Sequence, residues 1–416
     1  MNYNTFKELD LVMIKIAILG LGVVGGGVAD ILESEKSLIA KHFGVECEKF
    51  IEVKYVLDLR DSVGHGLDDR LTKSIDDILN DDEVSIVVET MGGLHPAYEF
   101  SLAALKKGKN VVTSNKAVVS AYGVELLGMA AEMGVSYLFE ASVGGGIPII
   151  RPLTACLCGE RINSVSGILN GTTNYILSQM EKCGVSFKEA LADAQAKGYA
   201  EKDPTADVSG ADTCRKICIL ANIAYDIYIT HEDICYNGIE DIEMADIECA
   251  ELLGKRIKLL GVAKRNGDNI DAFVSPMLVG LDSPLSMVND VFNAILVEGE
   301  NVGELMFYGK GAGSLPTATA VVSDIIEAVD APRRSMIWKN GSKDMISSED
   351  GIISALYVRV NGTGISDKLI SHFGDCKIVE HCGCTAILLP AKDQAAHLEL
   401  LKSFDGEVLS VIKADK

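Results

Sequence analysis

Apolar positions along this chain change period several times, and those changes lay out its elements. Residues 15–19 form a short, continuously apolar run of the kind that makes a buried strand, followed by a glycine-dense turn and helical spacing to about residue 35. Further buried-type strands are read at 51–57, 84–89 and 110–113, with a helix at 97–107 between the last two. Short apolar runs alternating with helical segments predict βαβ units and a parallel sheet. Beyond residue 150, a strand at 162–169 leads into helices at 174–183 and 187–197. Ile217, Leu220, Ala221 and Ala224 then fall at helical spacing. Strand-like segments at 270–281 and 293–308 predict an open mixed sheet covered by helices, and an apolar helix follows at 318–329. Residues 351–416 repeat a β-α-β-β-α-β rhythm through 354–360, 365–373, 377–382, 385–389, 394–404 and 407–412. The fold class is α/β, with a parallel-sheet domain, an α+β domain and a small βαββαβ domain.

Composition narrows the possible partners. The 416 residues suffice for two or three domains, and 48% hydrophobic content supports large cores. A net charge of −22 argues against nucleic acid and acidic membrane surfaces as partners. Residues 11–29 are apolar enough to imitate a signal peptide, but Glu8 and Asp10 precede them, Lys15 interrupts them and glycine is dense within them. With no secretory signal, the eleven cysteines are read as reduced thiols of a cytoplasmic protein. Cys382-Gly-Cys384 beside His381 and Cys376 is the cluster that merits a test as a metal site; no second pair stands at zinc-ribbon spacing. Residues 1–12 are read as an upstream extension or a disordered tail.

Three motifs carry chemistry. Gly20-Leu21-Gly22-Val23-Val24-Gly25 is a G-x-G-x-x-G between the first strand and the first helix. Its glycines allow a tight turn and let backbone N–H groups approach a pyrophosphate at the helix N-terminus, marking an NAD or NADP site; a purely structural turn is the alternative. The second strand ends at Asp58-Leu59-Arg60, where an acid favours a free ribose 2′-hydroxyl and an arginine a 2′-phosphate. Later strand ends, at Glu89-Thr90 and at Ser114-Asn115-Lys116, point to the same ligand crevice. Lys116 opens a helix, a poor position for a cation in the helix dipole, which hints at a role beyond that of an exposed lysine.

The second motif spans 198–216. Pro204 suits the first turn of a helix, Glu201 and Asp207 are placed on a loop, and Asp212 and Lys216 share one face of the helix that follows. A lysine held beside carboxylates is a tunable proton carrier; an ordinary surface ion pair is the other reading. The third motif, Glu140 to Pro148, contains Gly144-Gly145-Gly146 and closes the first domain, as a hinge or a carbonyl-lined cation site.

The second motif resembles the homoserine dehydrogenase signature. The matching positions are Ala194, Gly198, Tyr199, Ala200, Asp203-Pro204, Asp207-Val208, Gly210, Asp212 and Lys216. The resemblance runs from about residue 14 to about residue 330. It implies a Rossmann domain at 13–147 completed by about 311–340, a catalytic and dimerisation domain at 148–310, and an ACT-like regulatory or oligomerisation domain at 351–416. It also implies reversible NAD(P)-dependent reduction of L-aspartate 4-semialdehyde to L-homoserine, in threonine, methionine and isoleucine biosynthesis.

By the same resemblance Glu201, Asp207, Asp212, Gly198 and Tyr199 bind substrate, and Lys216 and Lys116 are the acid/base candidates. Gly20, Gly22, Val23, Val24, Gly25, Asp58, Arg60, Thr90, Lys116, Gly311 and Gly313 would hold the cofactor. Glu140, Val143, Gly145 and Ile147 would hold a monovalent cation, sodium, through their carbonyls. Leu57 stands where the family often has an arginine, which leaves NAD and NADP both open. The C-terminal segment has Asn361-Gly362-Thr363-Gly364 in place of the usual Asp-x-Pro-Gly, so L-threonine feedback stays open, as does dimer or tetramer. The rivals are another Rossmann-type dehydrogenase of a small amino-acid aldehyde and a non-catalytic nicotinamide or amino-acid sensor. A fusion to an aspartate kinase has no room N-terminal to Gly20.

Overall fold

The computed structural model describes residues 13–45, 50–330, 338 and 345–415. The reading of residues 1–12 lies outside the described residues, as does the part of the first domain's completion that falls on 331–337 and 339–340. The chain divides into two compact units: the described residues of Met1–Arg151 with Ala312–Lys339, and those of Pro152–Gly311 with Asn340–Lys416.

In the first unit six described strands form one parallel sheet: β1 (Ile14–Leu19), β2 (Ile51–Leu57), β3 (Leu71–Thr72), β4 (Val84–Glu89), β5 (Asn110–Thr113) and β6 (Tyr137–Leu138). Their order is β3-β2-β1-β4-β5-β6, the doubly wound arrangement that reverses beside β1. Helices α1 (Val23–Ser34), α2 (Lys36–His42), α3 (Ile75–Leu79), α4 (Ala97–Lys106) and α5 (Lys116–Met133) connect them. β1 reads Ile-Lys-Ile-Ala-Ile-Leu and buries its last four residues, as a strand covered on both faces must. Helix α11 (Ser314–Asp330) also belongs to this unit, and Ala318, Val321 and Ile325 pack with Ile16, Val28 and Val88. A Cβ on Gly27 would stand 2.8 Å from Ser314 Oγ and 3.0 Å from the Ala318 Cβ, so glycine permits this close approach of α1 and α11.

The second unit is built on one mixed sheet. Its strands are β7 (Ile162–Ile168), β8 (Cys235–Tyr236), β9 (Lys255–Asn266), β10 (Asn269–Gly280), β11 (Phe292–Gly299), β12 (Gly303–Lys310), β13 (Ile353–Asn361), β14 (Lys377–His381), β15 (Cys384–Asp393) and β16 (Val408–Ala414). The order is β12-β11-β7-β9-β10-β16-β13-β15-β14, with β8 also on β10. Helices α6 (Gly171–Cys183), α7 (Phe187–Ala196), α8 (Thr205–Val208), α9 (Ala211–Tyr225) and α10 (Met244–Leu252) come before the β9–β10 hairpin. Helices α12 (Ser366–Phe373) and α13 (Gln394–Ser403) complete the βαββαβ segment. That segment does not build a separate sheet: β16 pairs in parallel with β10 through Met277–Lys413 and Leu278–Ala414.

Four sequence expectations change. The segment read as one strand at 293–308 is the hairpin β11–β12, turning between Gly299 and Gly303. Helix α6 begins at Gly171 rather than 174, because the Asn170 side chain accepts from Thr173 N at 2.9 Å and starts the helix earlier. Asp207 lies in α8, not on a loop; Pro204 precedes the helix and the Asp203 carboxylate accepts from Thr205 N at 3.2 Å and Thr205 Oγ1 at 2.6 Å. β9, at the centre of the sheet, was not anticipated. Its sequence Lys-Arg-Ile-Lys-Leu-Leu begins basic, yet Lys258 is fully buried and donates to the Val288 carbonyl at 2.7 Å. Burial brings the Lys258 ammonium down to about 8.

Among the described residues no helix is long and apolar enough to cross a membrane, and ten cysteines are free thiols.

Candidate active site

In the first unit the glycine fingerprint is shaped by the strand ends around it. Gly20 adopts φ +85°, and α1 starts immediately after Gly22. A Cβ on Gly25 would meet the Gly20 carbonyl at 2.3 Å and Thr90 Oγ1 at 2.7 Å, whereas a Cβ on Gly22 would meet nothing within 4 Å. Gly25 is thus required by the turn itself, and Gly22 leaves open space at the N-terminus of α1, where backbone N–H groups favour an anion. Thr90 donates to the Gly20 carbonyl at 2.7 Å and fixes the turn from β4. Asp58, at the end of β2, accepts from Leu21 N at 3.0 Å and from Arg60 Nη2 at 2.7 Å and Nε at 2.9 Å. The Arg60 guanidinium, with help from these N–H groups, holds the Asp58 carboxyl far below the usual carboxylate range. Arg60 also donates to the Leu21 carbonyl at 2.8 Å, so the pair clasps the glycine turn.

The ends of β4 and β5 are joined by a buried network. Thr113 Oγ1 donates to Glu89 Oε2 at 2.6 Å and accepts from Asn115 N at 2.9 Å, while Met91 N donates to Glu89 Oε1 at 2.8 Å. Glu89 is fully buried, and desolvation pushes its carboxyl up to about 7. Asn115 caps α5 and donates to the Gly93 carbonyl at 2.7 Å. Lys116, the first residue of α5, is half-buried at this carboxyl edge of the sheet.

In the second unit Lys216 and Asp212 sit on the inner face of α9, both buried. Lys216 Nζ lies 2.7 Å from Asp212 Oδ2 and donates to the Leu169 carbonyl, also at 2.7 Å. Asn170 Nδ2 bridges two acids, donating to Asp212 Oδ2 at 2.9 Å and Asp207 Oδ1 at 2.8 Å. Its Oδ1 caps α6, so both ends of the amide are in use. Burial raises the Asp207 carboxyl, with the Asp212 charge adding to it and the Asn170 hydrogen bond opposing it. A buried cation braced by a carboxylate and a carbonyl, with a second carboxylate beside it, is equipped to hold a proton and pass it on. The adjoining 198–201 turn is pinned by Thr172 Oγ1, which donates to the Tyr199 carbonyl at 2.7 Å. Gly198 has φ +74°, and the exposed Tyr199 ring meets Tyr175 edge-on at 4.9 Å.

The Glu140–Ile147 loop is buried apart from Gly146. Glu140 spends its carboxylate on the backbone: Oε1 accepts from Ile149 N at 2.6 Å and Ile150 N at 2.7 Å, and Oε2 from Arg151 N at 2.7 Å. A Cβ on Gly144 would stand 2.9 Å from the Ile147 carbonyl oxygen, and Gly144 and Gly145 both have positive φ. Glycine here lets a carbonyl fold back across the loop.

Residues 20–140 match the sequence model described as homoserine dehydrogenase, NAD binding domain, and residues 148–326 match the homoserine dehydrogenase model. The curated homoserine dehydrogenase of Synechocystis sp. is 46% identical over 327 residues, 76% of this chain and 73% of its own. That of Bacillus subtilis is 40% identical over 376 residues, 87% of this chain and 85% of its own. The chain belongs to the homoserine dehydrogenase family. The crystal structure of the Thiobacillus denitrificans homoserine dehydrogenase superposes with a TM-score of 0.86 at 34% identity, covering 97% of this chain and 98% of that one. Like the family, the protein is an NAD(P)-dependent oxidoreductase acting on a CH–OH group.

Within this homoserine dehydrogenase framework the structure brings some expected residues together inside each unit. Gly20, Gly25 and Thr90 meet directly, Asp58 and Arg60 close on the same turn, and Asp207, Asp212 and Lys216 form one network. Val23 is exposed at the start of α1 and Val24 is half-buried. Gly313 lies in the first unit with φ +118°, next to Ser314, which donates to the Val23 carbonyl at 2.8 Å. Gly311 lies in the second unit, where a Cβ would stand 1.9 Å from Asn293 Nδ2. Glu201 is exposed, and its carbonyl accepts from Gln195 Nε2 at 3.1 Å. Asn170, the link between two acids, is absent from the residues expected at the site. A cap residue ahead of the α6 pattern was the available signal.

Proposed function

We propose that the protein interconverts L-aspartate 4-semialdehyde and L-homoserine, with Lys216 as the proton carrier. The observation that carries this is the buried Lys216–Asp212 pair, linked through Asn170 to Asp207. When bound, the nicotinamide supplies or accepts the hydride. Lys216 Nζ gives a proton to the alkoxide that forms on reduction and takes it back on oxidation. Asp212 and the Leu169 carbonyl hold that ammonium in place. Glu201, exposed beside the pinned 198–201 turn, binds the substrate ammonium, and Asp207 orders the surrounding network. Lys116, at the carboxyl edge of the parallel sheet where such sheets bind ligands, is the second proton-transfer group to be tested.

Gly20, Gly22 and Gly25 carry the pyrophosphate at the start of α1, and the Asp58–Arg60 pair meets the ribose. That pair suits either cofactor, because Asp58 matches a ribose hydroxyl and Arg60 a 2′-phosphate. The carbonyls of Glu140, Val143, Gly145 and Ile147 would hold a monovalent cation of the sodium class. The fit rests on the Ile147 carbonyl folded over Gly144 and on a Glu140 side chain already committed to backbone N–H groups. The protein works as a cytoplasmic homo-oligomer. Support for the oligomer comes from a cavity of about 880 Å³ on the sheet face lined by Leu260, Val262, Phe273 and Leu296, opposite the face where Gly261 meets α9.

Initial rates with L-homoserine, followed by nicotinamide absorbance with NAD and NADP side by side and L-threonine in half the reactions, test the whole reading. Turnover is expected with at least one cofactor, and inhibition by L-threonine would mark the βαββαβ segment as regulatory. Lys216→Ala should lower kcat by about 10²- to 10⁴-fold, the usual worth of a positioned acid/base, with unchanged cofactor affinity. Undiminished kcat in Lys216→Ala would remove Lys216 from the chemistry and turn attention to Lys116→Ala.

A further inference from the structure

Away from the residues above, α10 and the β14–β15 hairpin bring three ligand-type side chains to one point. Glu248 lies on α10, His381 ends β14, and Cys382 opens the turn to β15. His381 Nε2 stands 2.9 Å from Glu248 Oε2 and 3.1 Å from Cys382 Sγ, and Cys382 Sγ stands 3.8 Å from the same Glu248 oxygen. Nitrogen, sulfur and oxygen therefore form one small triangle, all from the second unit.

A proton relay does not account for this geometry. In a cysteine–histidine–carboxylate relay the thiol and the carboxylate use opposite ring nitrogens. Here both face Nε2, which offers either one N–H or one lone pair. Three electron-pair donors turned to a common centre share a cation, and imidazole, thiolate and carboxylate together suit zinc. Ligand atoms bonded to tetrahedral zinc at about 2.0–2.3 Å lie roughly 3.3–3.6 Å apart, so the triangle needs shifts of only a few tenths of an ångström.

The hairpin supplies an independent argument. Cys382 and Gly383 are its two central residues, with φ +48° and +79°. Turns with both central residues left-handed favour asparagine, aspartate or glycine at the first position. A cysteine there breaks the local rule, and such breaks are expected where a side chain has another task. The other nearby thiols are otherwise engaged. Cys384 is buried and donates to the His381 carbonyl at 2.9 Å, and Cys376 packs against the C-terminal hydrophobic cluster. Cysteine spacing pointed away from a metal because one donor, Glu248, comes from a helix more than 100 residues earlier.

We propose that Glu248, His381 and Cys382 bind one zinc-class divalent ion, with solvent at the fourth position beside the exposed Cys382. The ion rivets the β14–β15 hairpin to α10. Binding releases the Cys382 thiol proton to solvent and involves no redox change.

The test uses the full-length protein, stripped with chelator under a non-thiol reductant and titrated with Co²⁺, then with Zn²⁺ against a chromophoric chelator. Wild type should take up one Co²⁺ per chain with a thiolate-to-cobalt absorption band that Zn²⁺ displaces. Zn²⁺ should also raise its Tm. Cys382→Ser should abolish the band and the Tm rise. Glu248→Gln should weaken binding by at least the roughly 10- to 100-fold that even an outer-shell partner is worth. Cys376→Ser, which leaves the three donors in place, should keep the band. Absence of the band in folded wild type, or its survival in Cys382→Ser, overturns the proposal.

Discussion

At the scale of single residues, Asn170 is the side chain on which the Lys216–Asp212–Asp207 network turns. Its two amide hydrogens go to Asp207 and Asp212, and its oxygen starts α6. Replacing it with leucine leaves the buried Asp212 and half-buried Asp207 carboxylates facing each other and removes the hydrogen bond that opposes the rise in the Asp207 carboxyl. Asn170→Leu should therefore move the acidic limb of the kcat/KM profile to higher pH. It should also cost about 1–2 kcal/mol of stability through the lost cap. An unmoved acidic limb in rate measurements across pH would show that the two acids do not titrate with catalysis. Glu89 makes a second residue-scale case. Its folded-state carboxyl stands at about 7, above the ordinary value of 4.5. Below pH 4.5 the group is protonated whether the chain is folded or unfolded. Between pH 4.5 and 7 the unfolded chain ionises this group while the folded protein keeps the buried carboxyl protonated, so stability falls across that window. Two and a half pKa units correspond to about 3 kcal/mol. Glu89→Gln should escape the loss, so the variant's stability advantage in denaturant melts without cofactor should grow from pH 4.5 to 7 and then level off. A constant difference across that range would mean that Glu89 is not the titrating group.

At the scale of elements, the β1–α1 turn separates a glycine needed for folding from one needed for binding. Gly25→Ala puts a Cβ 2.3 Å from the Gly20 carbonyl, whereas Gly22→Ala enters open space. Gly25→Ala should lower Tm, and Gly22→Ala should keep Tm but weaken nicotinamide binding about tenfold or more, because a pyrophosphate needs close backbone approach there. Thermal melts paired with cofactor titrations check this, and equal behaviour of the two variants would refute it. The same motif explains why this half of the protein was legible in the sequence. Its strands are short apolar runs, its turns are glycine-rich, and its ligand edge follows from the direction of a parallel sheet. The eleven-position signature likewise carries Asp207, Asp212 and Lys216 in one motif. Part of what stayed hidden depended on partners distant in sequence. β9 carries Lys258, which the Val288 carbonyl, Asn174 and Asn289 make tolerable inside. Asp207 sits in a helix because of a local Asp203–Thr205 cap, which was not read as a helix start.

At the scale of the whole chain, the second unit poses a question of cooperativity. Its sheet runs from β12 to β14 through a parallel join of only two residue pairs between β10 and β16. The strands on either side of that join carry separate hydrophobic clusters. Among the described residues an ion pair also ties them, alongside the Lys255–Asp415 and His381–Glu248 contacts. Arg359 on β13 donates from Nε to Asp246 Oδ1 of α10 at 2.7 Å and from Nη2 to Glu243 at 2.6 Å, and Tyr357 adds a hydrogen bond to Asp246 at 3.2 Å. The Asp246 side chain is fully buried and that of Arg359 nearly so. Two charges taken this far from water repay their desolvation only because they meet in good geometry, so removing one is far worse than removing both. Arg359→Met should cost about 3–5 kcal/mol, since Asp246 stays buried without its cation. The double variant Arg359→Met, Asp246→Leu should recover most of that loss. If the pair also couples the two clusters, the single variant should split the unfolding of this unit into two calorimetric transitions, with the βαββαβ segment melting first. A double variant as unstable as the single one would mean that packing around Arg359, rather than its charge, holds the two halves of the sheet together.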